Sequence, residues 1–364
     1  MHVSEIETPA IVVDLDVLER NLARVAAYAK EHRLRLRPHT KTHKSSVIAR
    51  MQLESGAVGL TVAKVGEAEV MLRAQPEDLL VAYPVIGEAK LRRLLEAARH
   101  TRTTVALDSL EAARGLSNAA AKAGIEIGVL VEEDVGLGRV GLTDPRKLVA
   151  LASAIAKLPG LRVIGFNFYP GHVKSTDAEG MAAFHALAAV LEETATHWHE
   201  AGLPLEVVSG GSTPTLFHSH ELPVLNEIRP GTYVFNDRNT VESGAATLED
   251  CAAHLLVTVV STSRASGMIV DGGSKTFSSD RLSTGGEVTF GLLREEPEAK
   301  FVKMNEEHGY IDLPPSARHF QIGDRLRILP NHICVAVNLH DRVYGIRGEN
   351  VEQVFEVEAR GKLQ

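Results

Sequence analysis

The sequence lacks the features that mark membrane-spanning and secreted proteins. No apolar run approaches the roughly 20 residues that a membrane-spanning helix needs. The amino terminus, MHVSEIETP, contains acidic residues and no apolar segment, so no signal peptide is expected. Cysteine is scarce: Cys251 and Cys334 are too few for a disulfide framework, which predicts a reducing, cytoplasmic compartment.

The chain also lacks an excess of positive charge. Its 39 basic residues are outnumbered by 47 acidic ones, and the longest basic stretch is the short LRLRPHTKTHK. We therefore expect neither nucleic acid nor an anionic membrane as a partner. What the 364 residues do have is a hydrophobic content of 44%, enough for a large packed core, and 16 histidines, the commonest metal ligand.

The first two thirds of the chain alternates short apolar runs with longer amphipathic stretches such as Leu15–Lys30, Lys64–Arg73 and Ser109–Lys122. Eight repeats of strand and helix are typical of an α/β fold whose parallel sheet closes into a (β/α)8 TIM barrel, expected here over residues 15–244. The eight predicted strands are Leu34–Pro38, Val58–Val62, Leu79–Pro84, Thr103–Asp108, Glu126–Glu132, Arg162–Phe168, Leu205–Ser209 and Glu227–Phe235.

After about Gly244 the helical stretches stop, which predicts a mostly antiparallel β domain over residues 245–364. Its predicted strands are His254–Ser263, Met268–Gly272, Leu326–Leu329, Cys334–Leu339, Arg342–Ile346 and Val351–Ala359. The early run Ala10–Asp14 has no partner among the eight barrel strands. We therefore expect it to pair with the β domain, which would then include residues 1–14.

Chemistry in such a barrel belongs at the carboxyl ends of the strands. Ser209–Thr213 follows the seventh predicted strand, and Gly231 and Thr232 belong to the eighth, where barrel enzymes commonly hold a phosphate. Ordinary tight turns are the alternative. Lys41 ends the first strand and could form a Schiff base with a carbonyl cofactor, so lysine and phosphate site together predict pyridoxal phosphate. Lys44 ranks lower, because we expect it a turn into the following helix.

A further pair of residues has the chemistry of a metal site. His332 and Cys334 are separated by one residue, so an extended backbone would direct both side chains to one face. Imidazole and thiolate suit zinc, and two ligands would leave open positions for substrate. The alternative is a surface histidine beside a core cysteine. His340 and Asp341 could support the pair or be merely exposed.

Nine motifs spread from about Thr8 to Asp341 resemble those of the D-threonine aldolase and D-serine dehydratase family. They are TPAIVVDLDVLERN, RPHTKTHK, VAKVGEAEVM, DVGLGRVG, YPGH, SGGSTPT, RPGTYVFND, EEHG and PNHICVAVNLHD. Members of this family are fold-type III pyridoxal-phosphate enzymes related to alanine racemase. The resemblance therefore implies a barrel of the alanine-racemase type that binds pyridoxal phosphate, and a β domain that binds a divalent metal, zinc or manganese.

The same resemblance implies roles for individual residues. Lys41 is the expected Schiff-base lysine, His332 and Cys334 are the metal pair, and Arg229 is expected near the pyridine nitrogen. The implied cofactor contacts are Lys41, Arg139, Tyr169, Ser209, Gly210, Gly211, Ser212, Thr213, Gly231, Thr232 and Tyr233. Arg139 would contact the phenolic oxygen of the cofactor. His308 would lie near the substrate carboxylate or the metal.

Two motifs depart from the aldolase branch. That branch has His-x-Asp at the metal site, whereas His332 and Cys334 match the dehydratases. It also has Tyr-His-Gly after strand six, whereas this chain has Tyr169-Pro170-Gly171-His172, which displaces the candidate catalytic histidine, His172, by two positions.

The resemblance predicts a lyase for D-β-hydroxy amino acids. A D-threonine aldolase, which yields glycine and an aldehyde, is the favoured activity. The alternative is a D-serine or D-threo-3-hydroxyaspartate dehydratase, which yields a keto acid and ammonia. A non-catalytic pyridoxal-phosphate carrier is a remoter alternative, because carriers resemble a lone barrel. Relatives place a site between the barrel and the β domain of a partner, which predicts a homodimer.

Overall fold

The computed structural model describes residues 1–282 and 288–364. Its strands are β1 Ala10–Asp14, β2 Arg35–Leu36, β3 Leu60–Val62, β4 Asp78–Val81, β5 Arg102–Leu107, β6 Ile127–Glu133, β7 Leu161–Phe168, β8 Val207–Gly210, β9 Glu227–Ile228, β10 Ala253–Ser261, β11 Gly267–Val270, β12 Gly291–Leu293, β13 Lys300–Met304, β14 Gly309–Asp312, β15 Arg325–Pro330, β16 Arg342–Arg347 and β17 Asn350–Glu356.

The α-helices are α1 Leu15–Glu31, α2 Ser46–Glu54, α3 Val65–Met71, α4 Glu88–Ala98, α5 Leu110–Ala123, α6 Pro145–Ile155, α7 Ala178–Glu200, α8 Arg238–Glu242, α9 Ser274–Phe277 and α10 Ile333–Leu339. Short 3-10 helices cover Val3–Glu5, Leu72–Ala74, Leu216–Glu221, Thr232–Val234 and Leu248–Asp250. None of these helices of the described chain is long and apolar enough to cross a membrane.

Local sequence explains where the longer helices begin and end. Helix α5 starts after Ser109, whose hydroxyl accepts a hydrogen bond from the N–H of Ala112, and it stops at Gly124 in a left-handed conformation. Helix α6 starts with Asp144 as its cap and Pro145 in its first turn. The three predicted helices are confirmed as α1, α3 and α5. Their observed ends differ by at most a few residues from the predicted Leu15–Lys30, Lys64–Arg73 and Ser109–Lys122.

The chain divides into two compact units. The barrel unit consists of Arg24–Lys41, Ser45–Gly231 and Gly361–Gln364, and the β unit of Met1–Ala23, Thr42–Lys44 and Thr232–Arg360. The predicted domain limits of 15–244 and 245–364 stay a prediction.

The barrel unit contains a sheet of eight parallel strands in the order β2-β9-β8-β7-β6-β5-β4-β3. Its two ends meet, because the N–H of Val58 donates to the carbonyl of Leu36 and the N–H of Thr61 to that of Pro38. Apolar side chains from four strands form a cluster in this unit, namely Leu80, Leu130, Ile164 and Val207. The (β/α)8 barrel is confirmed, and each of its eight strands overlaps its predicted range.

The β unit is a mostly antiparallel sheet. Strand β1 pairs with β10 in antiparallel and with β16 in parallel orientation, so the expected pairing of Ala10–Asp14 with this domain is confirmed. Ile6, Ala10, Val12 and Leu256 pack into one buried cluster of the unit. Strands β12, β13 and β14 were not predicted, because they are short and carry glycine and lysine among their apolar residues.

Two strand predictions are wrong. Cys334–Leu339 is part of helix α10, and its buried residues, Ile333, Cys334, Ala336 and Val337, follow the spacing of one helical face. A short β-branched run does not by itself distinguish a strand from a buried helix. The strand predicted over Glu227–Phe235 ends at Ile228, since Pro230 cannot donate a ladder hydrogen bond and Thr232 begins a 3-10 turn.

Candidate active site

Three predicted site residues lie together in the barrel unit. Tyr169 directly follows β7, and the Nζ of Lys41 lies 5.9 Å from the centroid of its ring. The guanidinium carbon of Arg139 lies 4.8 Å from the same centroid. Gly171 permits this position of the ring, because a Cβ at residue 171 would lie 2.4 Å from the Cε1 atom of Tyr169. The structure therefore places an amine, a phenol and a guanidinium in one cluster beyond the strand ends.

Lys44 was expected to lie one turn into the following helix, and this expectation is wrong. Helix α2 begins only at Ser46, and Lys44 occupies a turn with a φ of 54°. Its side chain is buried, and its carbonyl accepts a hydrogen bond from the N–H of Ala359 within the β unit. The backbone at Lys44 is thus part of the β unit, whereas Lys41 belongs to the barrel unit.

A buried network fixes Arg229 at the end of β9. Its guanidinium donates to the hydroxyl of Ser209 at 2.6 Å and to the carbonyl of Phe168 at 3.0 Å. The Ser209 hydroxyl in turn donates to Glu227 at 2.7 Å. Burial lowers the pKa of Arg229, while the negative charges of Glu132 and Glu227 raise it. Ser209 and Glu227 therefore hold a cation rigidly, a role that sequence reasoning did not assign to Glu227.

The same network extends toward the opposite end of the barrel. There a cavity of about 240 Å³ is lined by four arginines and four acids, Arg35, Arg37, Arg102, Arg162, Asp78, Glu126, Glu206 and Glu227. Arg37 pairs with both Asp78 and Glu227. Positive and negative side chains balance, so this cavity has the composition of a structural ion-pair network at the amino ends of the strands.

The segment after β8 has the chemistry of an anion site. Gly211, Ser212 and Thr213 are buried, and Gly211 has a φ of 90°, which favours glycine. Within the described residues, no backbone carbonyl accepts a hydrogen bond from the N–H of Gly211 or Ser212. Buried N–H groups require an acceptor, and the phosphate of pyridoxal phosphate would supply one. This donor set fits the cofactor.

The remaining predicted cofactor residues are placed as follows. Gly210 approaches the ring of Phe168 closely, since a Cβ there would lie 2.3 Å from its Cε1. Gly231 is buried at the end of the barrel unit. Thr232 and Tyr233 lie in the β unit, where the Thr232 hydroxyl is 3.7 Å from the sulfur of Cys334.

His172 packs against the loop that precedes Arg139. A Cβ on Gly136 would lie 3.2 Å from the Cε1 of His172, so ring and loop are in close contact. Asp134 accepts hydrogen bonds from the N–H groups of Gly136 and Gly138, which fold this loop. The Nδ1 of His172 is buried and has no hydrogen-bond partner among the described residues.

The predicted metal pair lies in the β unit. His332 is the amino-terminal cap of α10, and Cys334 lies in its first turn. Their side chains lie close enough that the charge of Cys334 and the hydrogen bond with Asp237 both raise the pKa of His332. The expectation of an extended backbone is wrong, yet the helix turn still brings imidazole and thiol together.

The surroundings of the pair define its donor set. Asp237 accepts a hydrogen bond from the Nδ1 of His332 at 3.0 Å, and the sulfur of Cys334 lies 3.2 Å from the Thr42 hydroxyl. No group of three or more His, Cys, Asp or Glu side chains in the described part of the chain is arranged to hold a metal ion. Imidazole and thiolate together fit a divalent metal that keeps open positions. Asp237 was missed by sequence reasoning, although Asp-x-x-Thr is a recognisable helix-cap pattern.

The other histidine candidates are less closely placed. His308 is exposed in the turn between β13 and β14. His340 contacts the carbonyl of Thr276 at 3.2 Å, and the exposed Asp341 pairs with Arg360. These contacts are structural and assign no chemistry to His340 or Asp341.

Comparison with known proteins identifies relatives over the whole chain. A family model described as "Alanine racemase, N-terminal domain" matches residues 13–239, and a model for a serine dehydratase domain matches residues 252–346. The 3-hydroxy-D-aspartate aldolase of Paracoccus denitrificans is 34% identical over 100% of this chain and 94% of its own length. The D-threonine aldolase of an Arthrobacter species is 33% identical over 98% of this chain and 94% of its own length.

The chain belongs to the D-threonine aldolase and D-serine dehydratase family. This is a family of pyridoxal-phosphate-dependent lyases with an alanine-racemase-like fold, so the resemblance drawn from the motifs is confirmed.

Solved structures of the family extend the comparison. The D-threonine aldolase of Filomicrobium marinum superposes with a TM-score of 0.93 at 31% identity and covers 99% of this chain and 98% of its own. The D-threo-3-hydroxyaspartate dehydratase of Delftia sp. HT23 superposes with a TM-score of 0.90 at 30% sequence identity, and the match covers 98% of each chain. Structures of a D-threo-3-hydroxyaspartate dehydratase also exist for a histidine-to-alanine mutant and, in the metal-free form, for a cysteine-to-alanine mutant changed two positions further along.

Proposed function

We propose that this chain is a pyridoxal-phosphate- and divalent-metal-dependent D-threonine aldolase, which cleaves a D-β-hydroxy amino acid to glycine and an aldehyde. The observation that carries the proposal is the Lys41, Tyr169 and Arg139 cluster at the carboxyl ends of the barrel strands, in a chain whose full-length relatives include aldolases. The pair of His332 and Cys334 in the β unit supports the metal dependence.

We assign the cofactor-holding groups as follows. Lys41 would be the attachment point, and Arg229 would be the cation near the pyridine ring. The N–H groups of Gly211 and Ser212, with Gly231, would bind the phosphate. Arg139 would contact the phenolic oxygen. Pyridoxal phosphate, when bound, supplies an electron sink for the bond that breaks at Cα. Because Glu227 and Ser209 hold Arg229, this cation needs no rearrangement when the cofactor enters.

His332 and Cys334 would hold the divalent ion. That ion would supply a Lewis acid that lowers the pKa of the substrate's β-hydroxyl. A base must then take the hydroxyl proton, and we assign this to His172, whose buried Nδ1 has no partner among the described residues. Zinc is the metal we propose, because a thiolate ligand favours it over harder ions, with manganese as the alternative.

A second candidate function rests on one specific observation. The spacing of His332 and Cys334 equals that of the histidine and cysteine altered in the D-threo-3-hydroxyaspartate dehydratase structures, one of which is metal-free. In a dehydratase, the Lys41 amine would take the α-proton, and a metal held by His332 and Cys334 would supply Lewis-acid assistance for loss of the β-hydroxyl as water. The enamine released would then react with water to give a keto acid and ammonia.

The test is to incubate the purified enzyme separately with D-threonine, D-serine and D-threo-3-hydroxyaspartate. We expect glycine and the corresponding aldehyde in equal amounts, with no ammonia. Keto acid and ammonia in place of glycine would establish the dehydratase instead. Binding of the cofactor without turnover of any of the three would favour the carrier alternative.

We also propose that the enzyme is a cytoplasmic homodimer with a small D-amino acid as its partner molecule. The scarcity of cysteine supports the compartment, and the family resemblance supports the dimer. Light scattering coupled to size exclusion measures the subunit number directly, and a mass near the 39.3 kDa of one chain would contradict the dimer.

A further inference from the structure

Asp237 makes three hydrogen bonds from a fully buried carboxylate in the β unit. One oxygen accepts from the N–H of Thr240 at 3.0 Å and thereby caps helix α8. The other accepts from the Nδ1 of His332 and from the N–H of Ile333, each at 3.0 Å. Asp237 therefore contacts both the ring of the proposed metal ligand and the first turn of the helix that carries Cys334.

This arrangement decides which nitrogen of His332 can bind a metal. An ionised carboxylate only accepts hydrogen bonds, so the contact requires the proton of the ring to lie on Nδ1. The lone pair of the neutral ring is then on Nε2, the nitrogen that Asp237 does not contact. The shared bond to Ile333 also fixes the ring orientation relative to Cys334, since Ile333 separates the two residues.

We propose that Asp237 is a positioning residue for the metal: it fixes the tautomer and the orientation of His332 and so increases the affinity of the His332 and Cys334 pair for a divalent ion. The inference rests on the metal pair of the proposed function. Carboxylate partners of metal-binding histidines typically change metal affinity by roughly 10- to 100-fold.

A simple capping role makes a different prediction. Asparagine is as good a helix cap as aspartate, so Asp237→Asn would be harmless if Asp237 only capped α8. If the Asn side chain caps α8 with its oxygen, its NH2 group faces His332 and Ile333. An NH2 group cannot accept a hydrogen bond from the ring N–H of His332 or from the backbone N–H of Ile333. The ring must then lose the contact or move its proton to Nε2, which removes the lone pair that the metal needs.

The experiment measures metal binding without turnover. Metal-free wild type and Asp237→Asn are titrated with Co²⁺, followed by its visible absorption and thiolate charge-transfer bands, and with Zn²⁺ in competition against a chelator of known affinity. We expect Asp237→Asn to bind both ions about 10- to 100-fold more weakly and with altered cobalt bands. Asp144→Asn is the matched control. Asp144 also caps a helix, α6, but its carboxylate accepts from the backbone N–H groups of Arg146 and Lys147 and not from a histidine ring.

The outcomes separate this inference from the proposed function. Affinity within twofold of wild type in a folded Asp237→Asn protein overturns the positioning role alone. Absence of Co²⁺ and Zn²⁺ binding in the wild type overturns the metal pair and the inference with it. If Asp237→Asn does not fold, Asp237→Ser tests the positioning role instead. Serine keeps an oxygen that can cap α8, but its side chain is too short to reach His332. We expect this variant to weaken metal binding to the same extent.

Discussion

Lys41 is the single residue on which cofactor attachment is expected to depend. We predict that borohydride reduction of the cofactor-loaded protein places the reduced cofactor on the peptide that contains Lys41, as peptide mass analysis would show. Lys41→Ala should lose this modification, and its kcat should fall by at least about 100-fold, since an essential amine is removed. The basis is the position of its Nζ near the ring of Tyr169.

Lys44→Ala is the control for Lys41→Ala, because both lysines lie in one short basic segment. The backbone of Lys44 is bonded within the β unit, so we expect its variant to keep the modification at residue 41. Modification at Lys44 in the wild type would contradict the assignment.

Glu133 is a buried acid that the proposed chemistry does not use. It lies in β6, its Oε1 accepts from the Thr194 hydroxyl at 2.6 Å, and its Oε2 has no hydrogen-bond partner among the described residues. Burial raises the pKa of Glu133 to about 7. The folded state therefore prefers the protonated acid, and folding stability should fall as the pH rises from about 4.5, where the unfolded acid ionises, to about 7.

We predict that Glu133→Gln removes this pH dependence. Glutamine can still accept from Thr194 but never ionises, so the variant should match the wild type at pH 4 within error. Above pH 7 it should be more stable by up to roughly 3 kcal/mol. Urea unfolding at pH 4 and pH 8 measures the difference. Glu192→Gln, on the exposed side of the same helix as Thr194, is the control, and equal pH profiles for all three proteins would refute the prediction.

Helix α10 carries the candidate metal pair in a conformation that its sequence does not reveal. Residues 333–339 form an apolar run with several β-branched members, and they fold as a helix with His332 as its cap. His332 and Cys334 still lie close together, because a cap residue and the second residue of a helix share the same turn. The spacing is thus compatible with metal binding in either conformation.

The glycine segment after β8 is the element that should bind the phosphate. We predict that Gly211→Val weakens cofactor binding by roughly 10- to 100-fold, because each charged hydrogen bond that is lost costs about 1.5–3 kcal/mol. Cofactor affinity of the apo-protein is measured by fluorescence titration. Space alone does not forbid the side chain, since the nearest atom to a Cβ at residue 211 is 3.6 Å away.

Backbone strain is the competing explanation for a Gly211→Val effect, because the residue has a φ of 90°. Gly202→Val is the matched control: Gly202 has a φ of 68°, and nothing lies within 4 Å of its added Cβ. Both variants should lose thermal stability through strain, but only Gly211→Val should lose cofactor affinity. Equal affinities in the two variants would show that Gly211 is a turn former only.

At the scale of the whole molecule, the two units should respond separately to loss of metal. We predict that exhaustive chelation abolishes turnover, while the absorbance of the protein-bound cofactor persists, because the proposed cofactor contacts are mainly in the barrel unit and the metal pair is in the β unit. Cys334→Ala should behave in the same way, and Zn²⁺ should restore the chelated wild type but not this variant. Full activity after chelation, with no metal found by elemental analysis, would refute the metal site.

Periodicity and composition were sufficient to predict the architecture. Alternating strand and helix patterns repeat locally every few tens of residues, so the eight strands of the barrel could be predicted without any long-range information. The pairing of Ala10–Asp14 with the second unit followed by elimination, since no barrel partner remained for it. Motifs such as RPHTKTHK and SGGSTPT were sufficient to identify the family.

Only the tertiary structure decided which side chains support those motifs. Asp237 and His332 are 95 positions apart and meet through the packing of α8 near α10 in one unit. Ser209 lies 18 residues before Glu227 and 20 before Arg229, and neighbouring strands bring the three together. Such contacts depend on strand order and helix packing, which single-sequence periodicity does not encode. The sequence alone therefore determined the fold class and the candidate reactive groups, and the tertiary structure determined which side chains contact them.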